Sequence, residues 1–341
     1  MKILVIQLYR IGDVLLTTPA VRAIKRTFPE ATVDFLAENP AAEILQGNPS
    51  INHVLIYDKK QPWVMVRALR AQNYDWVIDF LGTPRSAILT ALSGAKLRAG
   101  LSRVFHRWAY NRKLPDPAGP LYIAEEKIRL IEPLGITFQD DFRAEISISE
   151  PATTWADHFL KKVSPLNRPL IALSPVSRRH FRRWPLQHYA ALADRLTAEL
   201  NCTILIIWGP GEKETAEAIA TQMKEPPVIA PPIKNLLDLA ALLKRADLFL
   251  GNDNGVKHIA AAAGIPTFTI FGGKNVPTNW TFPRSPSHRF IQKPCPCREN
   301  HKNESACADT PCLTAISVDE VFNLVKDFLE DIRKSPTHLV K

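Results

Sequence analysis

Short apolar runs alternate with helical spacings along most of the chain. In the N-terminal half, runs at residues 3–8, 32–37, 54–57 and 76–80 have the length and bulk of buried strands. Between the first two, Val14, Leu15, Ala20, Val21 and Ile24 recur at helical spacing over residues 13–28. Pro19 breaks that spacing, so either Thr18 caps a helix with Pro19 in its first position, or one helix starting at Asp13 is kinked. Alternating strand and helix predict parallel sheets covered by helices on both faces, an α/β fold. A polar stretch at 163–169, with Ser164-Pro165 and Arg168-Pro169, interrupts the alternation and is the expected domain boundary. A second series follows, with strands at 170–174, 202–208 and 228–230 and helices at 185–200, 212–223 and 235–245. The last element is an amphipathic helix at 318–332, with Val321, Leu324, Val325, Phe328 and Leu329 on one face. The expected organisation is two doubly wound domains, residues 1–165 and 166–341, with a ligand cleft between them.

The most informative stretch is 246–264. Leu248, Phe249 and Leu250 read as a buried strand, and Gly251 to Gly255 carry the Gly, Asn and Asp residues that permit a tight turn. Val256 onward is alanine-rich and helical in propensity. In an open α/β sheet ligands sit beyond the carboxyl ends of strands, and this turn lies at such an end. The free N–H groups of the following helix favour an anion. Asp253, Gly255 and His258 are therefore candidates for binding one, against the plainer reading in which Asp253 only caps the helix.

Composition narrows the partners. The 341 residues are 46% apolar and 23% charged, which argues for folded cores rather than disorder. A net charge of +9 points to acidic partners: phosphate, nucleic acid or an anionic membrane face. No apolar run reaches the ~18 residues of a membrane span, and residues 3–8 are too short for a signal-peptide core, so a cytoplasmic protein is expected. Seven Lys/Arg and no acid fall in 81–113, seven and none in 158–193, and six and none in 254–298. If these converge, the site suits a substrate with several phosphates; otherwise they are separate solvated faces, and the aromatics Phe105, Trp108 and Tyr110 keep RNA binding open.

Three further motifs could carry chemistry. Gly12-Asp13 directly follows the first strand; Gly12 allows a sharp turn, and Asp13 is either an N-cap or a carboxylate placed to take a proton from a hydroxyl. Arg178, Arg179, Arg182 and Arg183 lie between a strand ending at Ser174 and a helix starting at Pro185, an arrangement suited to phosphate. Gly209 and Gly211 follow a strand without completing a dinucleotide fingerprint, and Glu214 could accept hydrogen bonds from ribose hydroxyls or simply favour a helix N-terminus. Cys295, Cys297, Cys307 and Cys312 could hold zinc, but their C-x-C start fits the usual knuckle poorly, and free thiols or packing are the other reading.

Together these residues resemble glycosyltransferase family 9, the ADP-heptose:lipopolysaccharide heptosyltransferases. The resemblance runs from Met1 to about Val325. It rests on Gly12-Asp13-Val14-Leu15-Leu16-Thr17-Thr18-Pro19-Ala20, Arg182-Arg183-Trp184-Pro185, Trp208-Gly209-Pro210-Gly211, and Asp253-Asn254-Gly255 with His258. It implies a GT-B architecture of two Rossmann-like domains, acceptor-binding then donor-binding, with the terminal helix packing back on the first. It implies inverting, metal-independent transfer of heptose from ADP-heptose to an inner-core lipopolysaccharide sugar, with no cofactor. By resemblance, Asp13 is the general base, Arg182 holds donor phosphate, Glu214 the ribose, and Asp253 to His258 the diphosphate and sugar. Gly12, Ser174, Arg183 and Gly209 complete the expected binding set. Arg182 stands where the family commonly has lysine, and Asn254 where it has Ser or Thr. The expected partners are the nucleotide-sugar donor, a phosphorylated lipid-linked glycan and the cytoplasmic membrane face, reached through Arg103, Arg107, Arg112 and Lys113. The alternatives are another nucleotide-sugar on the same fold, or a basic module binding nucleic acid or anionic lipid.

Overall fold

The computed structural model describes residues 1–138, 141–163, 168–282, 285–295, 307 and 309–334. The chain divides into two compact units, Met1–Ser149 with Asn235–Leu237, and Glu150–Lys234 with Asp238–Lys341.

The first unit is built on a parallel sheet. Its strands are β1 (Lys2–Ile6), β2 (Thr32–Ala37), β3 (His53–Ile56), β4 (Trp76–Asp79), β5 (Leu97–Leu101) and β6 (Arg112–Leu114), in the order β3-β2-β1-β4-β5-β6. Ile3, Leu4, Val5 and Ile6 are all fully buried, which is why β1 reads as a continuous apolar run rather than an alternating one. The chain builds outward from β1 to β3 and then crosses to β4, so the direction of winding reverses between β1 and β4.

The second unit repeats the plan. Its strands are β7 (Leu170–Ser174), β8 (Thr203–Ile206), β9 (Val228–Ile229), β10 (Leu248–Asn252), β11 (Thr267–Phe271) and β12 (His288–Gln292), in the order β12-β11-β10-β7-β8-β9. Its reversal lies between β7 and β10. Trp184 and Tyr189 are the largest side chains of its core, edge-to-face at 4.9 Å, and the Trp184 indole donates to the Ile316 carbonyl at 3.0 Å.

Several expectations change. The division falls at Ser149/Glu150 rather than 165/166, because the helix Glu150–Val163 belongs with the second unit, where Asp157 takes a two-pronged hydrogen bond from Arg245 at 2.5 and 2.8 Å. The terminal helix Val318–Lys334 also packs within the second unit. Val321, Phe322, Val325, Phe328 and Leu329 join the core around Tyr189 and Leu196, and Arg195 pairs with Asp319 at 2.6 Å. Strands β5, β6 and β12 escape the apolar pattern because Arg, Ala, Gly and His dilute them. At Pro19 the helix splits into Ile11–Leu15 and Thr18–Thr27, with Thr17 as the cap of the second.

Gly251 is a strand residue, not a turn residue. It pairs in register with Ser174, and a Cβ there would come within 2.3 Å of the Ser174 carbonyl oxygen. Gly251→Ala is expected to destabilise by ~1–3 kcal/mol through overpacking, seen as a lower urea midpoint at unchanged slope. An unchanged midpoint would mean that β7 and β10 do not approach this closely.

Candidate active site

The residues that can do chemistry gather at the two reversals, where loops leaving neighbouring strands diverge and open a crevice. At the first reversal, the loop after β1 carries Tyr9, Arg10 and Asp13, and the loop after β4 carries Phe80. Arg103 follows β5, and Lys127 comes from the helix Ile123–Ile131. These side chains line a pocket of about 250 Å³. Gly12 sits inside the helical turn Ile11–Leu15 with ordinary backbone angles, so it does not make the sharp bend expected of it.

Asp13 is half-buried, and the loss of water raises its pKa above the usual 3.8; Lys127 and then Arg10 oppose that shift. Lys127 is buried, donates to the Gln7 side-chain oxygen at 2.8 Å and lies 5.3 Å from the centre of the Phe80 ring. Burial pushes its pKa down to about 8, against the pull of Asp13, Glu126 and Asp79. A carboxylate and an ammonium thus share one pocket, each limiting the other's loss of charge. Asp79 is wholly buried behind them. It accepts from the Tyr110 hydroxyl at 2.8 Å and from the amides of Leu81 and Gly82 at 2.9 and 3.1 Å, which fixes the loop that carries Phe80. This corner can accept a proton from a hydroxyl and hold an anion nearby.

At the second reversal Ser174 ends β7, and Asp253 and Asn254 follow β10. The Asn254 amide donates to Ser174 Oγ at 2.9 Å and to the Val176 carbonyl at 2.8 Å, while its oxygen caps the helix Gly255–Ala262. Asn254 therefore performs the capping role considered for Asp253. Asp253 instead accepts from Lys257 at 3.0 Å and Asn275 at 2.5 Å, with Arg182 at 3.6 Å. Burial acts to raise the pKa of Asp253, but Lys257 foremost, with Arg182, outweighs it and holds the carboxyl below its usual range. Both carboxylate oxygens are engaged, so Asp253 chiefly sets the positions of two cations.

Burial first, and the Lys257 charge second, push His258 down to about 3, so its imidazole is neutral at physiological pH. It packs edge-on to Trp280 at 5.9 Å. Arg183 turns back to donate to the Ser177 carbonyl at 2.6 Å, bracing the arginine loop. Gly209 donates to Glu212, not Glu214, at 2.9 Å; Glu214 is exposed at the start of the helix Lys213–Ala220. The structure thus gathers Ser174, Arg182, Asp253, Asn254, Gly255 and His258. Gly209 and Glu214 follow β8, which lies beside β7.

Sequence reasoning missed Lys127, Lys257 and Asn275 as site residues. Lys257 left a signal, standing four residues after Asp253 in the first turn of the helix that the Asp253 segment leads into. Lys127 left none, since its partner Gln7 is 120 residues away. Of the four late cysteines, Cys297 lies outside the described residues. Cys295 and Cys312 are buried, and burial raises the Cys312 thiol. Among the described residues no group of three His, Cys, Asp or Glu side chains is placed to hold a metal ion, and no helix is long and apolar enough to cross a membrane.

Comparison with known proteins places this geometry. The family model described as glycosyltransferase family 9 (heptosyltransferase) matches residues 63–309. Lipopolysaccharide heptosyltransferase 3 of Escherichia coli is 28% identical over 302 residues, covering 82% of this chain and 85% of that protein. The crystal structure of a family 9 glycosyltransferase from Veillonella parvula superposes with a TM-score of 0.87 at 23% identity, covering 97% of each chain. E. coli ADP-heptose lps heptosyltransferase II gives 0.79 at 20% identity over 98% of this chain and all of that one. The fold is thus the GT-B form of the α/β class.

Proposed function

The chain belongs to glycosyltransferase family 9, and from that premise we propose that this glycosyltransferase moves a heptose from ADP-heptose to a sugar of the lipopolysaccharide inner core. Family membership sets aside the non-enzymatic binding module. Transfer is a single inverting displacement. Asp13 takes the proton of the acceptor hydroxyl as that oxygen attacks the anomeric carbon, and the bond to the ADP oxygen breaks. The observation that carries this reading is the placement of Asp13, half-buried beside Lys127, in a pocket at the reversal of the first sheet. A carboxylate kept ionised by a neighbouring cation in a partly dry pocket is suited to proton abstraction.

The donor side is carried by the second unit. Arg182 and Lys257 place positive charge beside the N-terminus of the helix Gly255–Ala262. Charge of that sign, fixed before reaction, offsets what develops on the departing diphosphate, a task these side chains perform in place of a metal ion. Arg182 offers a planar fork, so it can hold two phosphate oxygens at once. Ser174 and Asn254 hold the turn against β7, and Glu214 is the ribose acceptor in this reading.

A thermal-shift series with ADP-, UDP- and GDP-sugars tests the donor. ADP-heptose is expected to raise the unfolding midpoint, since a ligand at a hundred times its Kd adds ~2.7 kcal/mol to the folded state. UDP- and GDP-sugars are expected to leave it within error. A shift with UDP-sugar alone would replace the donor while keeping the fold and the base.

A further inference from the structure

The strand order of the second sheet gives the donor a direction. Ser174 ends β7 and the Asp253 turn follows β10, so the groups assigned to the diphosphate gather where those two strands diverge. Glu214, the ribose acceptor in the reading above, follows β8, which lies on the far side of β7. The other end of a nucleotide-sugar then points past β10 toward β11. In that reading the segment leaving β11 is the one that meets the sugar.

That segment is tied to the site at three points. The Asn275 amide donates to Asp253 at 2.5 Å, and its carbonyl accepts from Gln292 at 2.9 Å. Lys257 donates to the Trp280 carbonyl and to Asp253, both at 3.0 Å, so one buried ammonium joins Trp280 to the carboxylate. The Trp280 ring meets His258 at 5.9 Å. Trp280 is half-buried, and among the described residues its indole N–H has no hydrogen-bond partner. The indoles of Trp184 and Trp208 in the same unit each donate, to the Ile316 and Ala230 carbonyls at 3.0 and 2.7 Å. On either side of Trp280, Asn279 Oδ1 and Thr281 Oγ1 are shut away from solvent, also without a partner among the described residues. Folded proteins leave few buried polar atoms unmatched, and a ligand that supplies the missing bond removes the cost. An aromatic face with a free N–H, flanked by an unmatched amide oxygen and hydroxyl, suits a sugar, whose C–H face packs on the ring while its hydroxyls bond the polar atoms.

We propose that Trp280, with Asn279 and Thr281 beside it, is the sugar contact of the donor site. The indole covers the sugar ring, and its N–H, the Asn279 oxygen and the Thr281 hydroxyl take the sugar's hydroxyls. That assignment rests on the function proposed above, which sets the direction of the nucleotide. Trp280 then distinguishes a nucleotide-sugar from the bare nucleotide.

Isothermal titration with ADP and with ADP-heptose tests it, because only the second carries the sugar. Trp280→Ala is expected to weaken ADP-heptose at least ~10-fold, the loss for a large apolar side chain no longer buried, and to change ADP by less than ~2-fold. Trp280→Phe keeps a ring without the N–H and is expected to recover part of the loss. Thr281→Val keeps the shape and removes the hydroxyl. Its urea midpoint is expected to stay at or above that of wild type, since no bond is broken, while binding of ADP-heptose alone weakens. An equal loss of ADP and ADP-heptose in Trp280→Ala would overturn the proposal, since the residue would then serve the nucleotide or the fold of the site. So would unchanged ADP-heptose binding in either Trp280→Ala or Thr281→Val. A wild-type protein that binds UDP and not ADP would remove the assigned donor instead, and the same comparison with UDP and UDP-glucose would then decide the role of Trp280.

Discussion

Asp13→Asn is expected to lower turnover by at least ~10²-fold while ADP-heptose still raises the thermal midpoint. The amide keeps the shape of the carboxyl but cannot take a proton, so the loss falls on the chemical step. Retained turnover would exclude Asp13 as the base. The pH profile sharpens the test. In the proposed reaction Asp13 works ionised, so kcat/KM is expected to rise with pH as it loses its proton, and burial places that rise above the ordinary carboxyl range. Lys127 supports Asp13 while protonated, so activity falls again as pH passes about 8. Arg10, Glu126 and Asp79 also face this pair, and the two limbs belong to the coupled groups rather than to one residue each. Lys127→Met removes the charge that most opposes the effect of burial on Asp13, so the acidic limb is expected to move to higher pH. Lys127→Arg is expected to restore it. An acidic limb unmoved in Lys127→Met would show that the ammonium does not act on Asp13.

Asp253→Ala is expected to cost ~3–5 kcal/mol of stability, the loss typical of leaving one member of a buried ion pair alone. Lys257 is buried and, among the described residues, would keep the Trp280 carbonyl, at 3.0 Å, and the face of Phe271, 4.8 Å away. Asp253→Ala/Lys257→Met is expected to unfold at higher urea than Asp253→Ala, because removing both charges removes the stranded one. The coupling is the difference between the double variant and the sum of the singles. Single variants with wild-type midpoints would mean that the pair is solvated. The sign with pH follows from the depressed carboxyl. The Asp253 contribution is present above its unfolded pKa and is lost as pH falls through the lower folded value. The same variants test the site, since Arg182 loses the carboxylate that positions it, and weaker ADP-heptose binding is expected in both.

The strands that were legible were those buried on both faces. β2 and β7 fall at the expected residues because a parallel strand under helices on both sides must be apolar throughout. β6, with three residues and two of them exposed cations, has no such requirement and gave no signal. The domain boundary was misplaced for a related reason. Pro and polar residues mark where a chain turns, not which unit the preceding helix packs on, and the contact between Asp157 and Arg245 settles that.

Among the candidate site residues, Asp13, Arg182 and the Asp253–His258 stretch could be named because each lies in the segment that follows a strand end, a local relation that sequence order preserves. Their chemical states could not be found that way. His258 reads as a cation beside an anion but is neutral, because burial and Lys257 together outweigh Asp253. By itself the sequence determined an α/β fold with two parallel series, and put a carboxylate after the first strand and cations after the strand at 170–174, since apolar runs and turn residues act over short range. Only the tertiary structure decided that Lys127 reaches Asp13 and that Asp253 spends its charge on Lys257. Electrostatic coupling and burial depend on distance in space, and the chain brings distant residues together only when the sheets have formed.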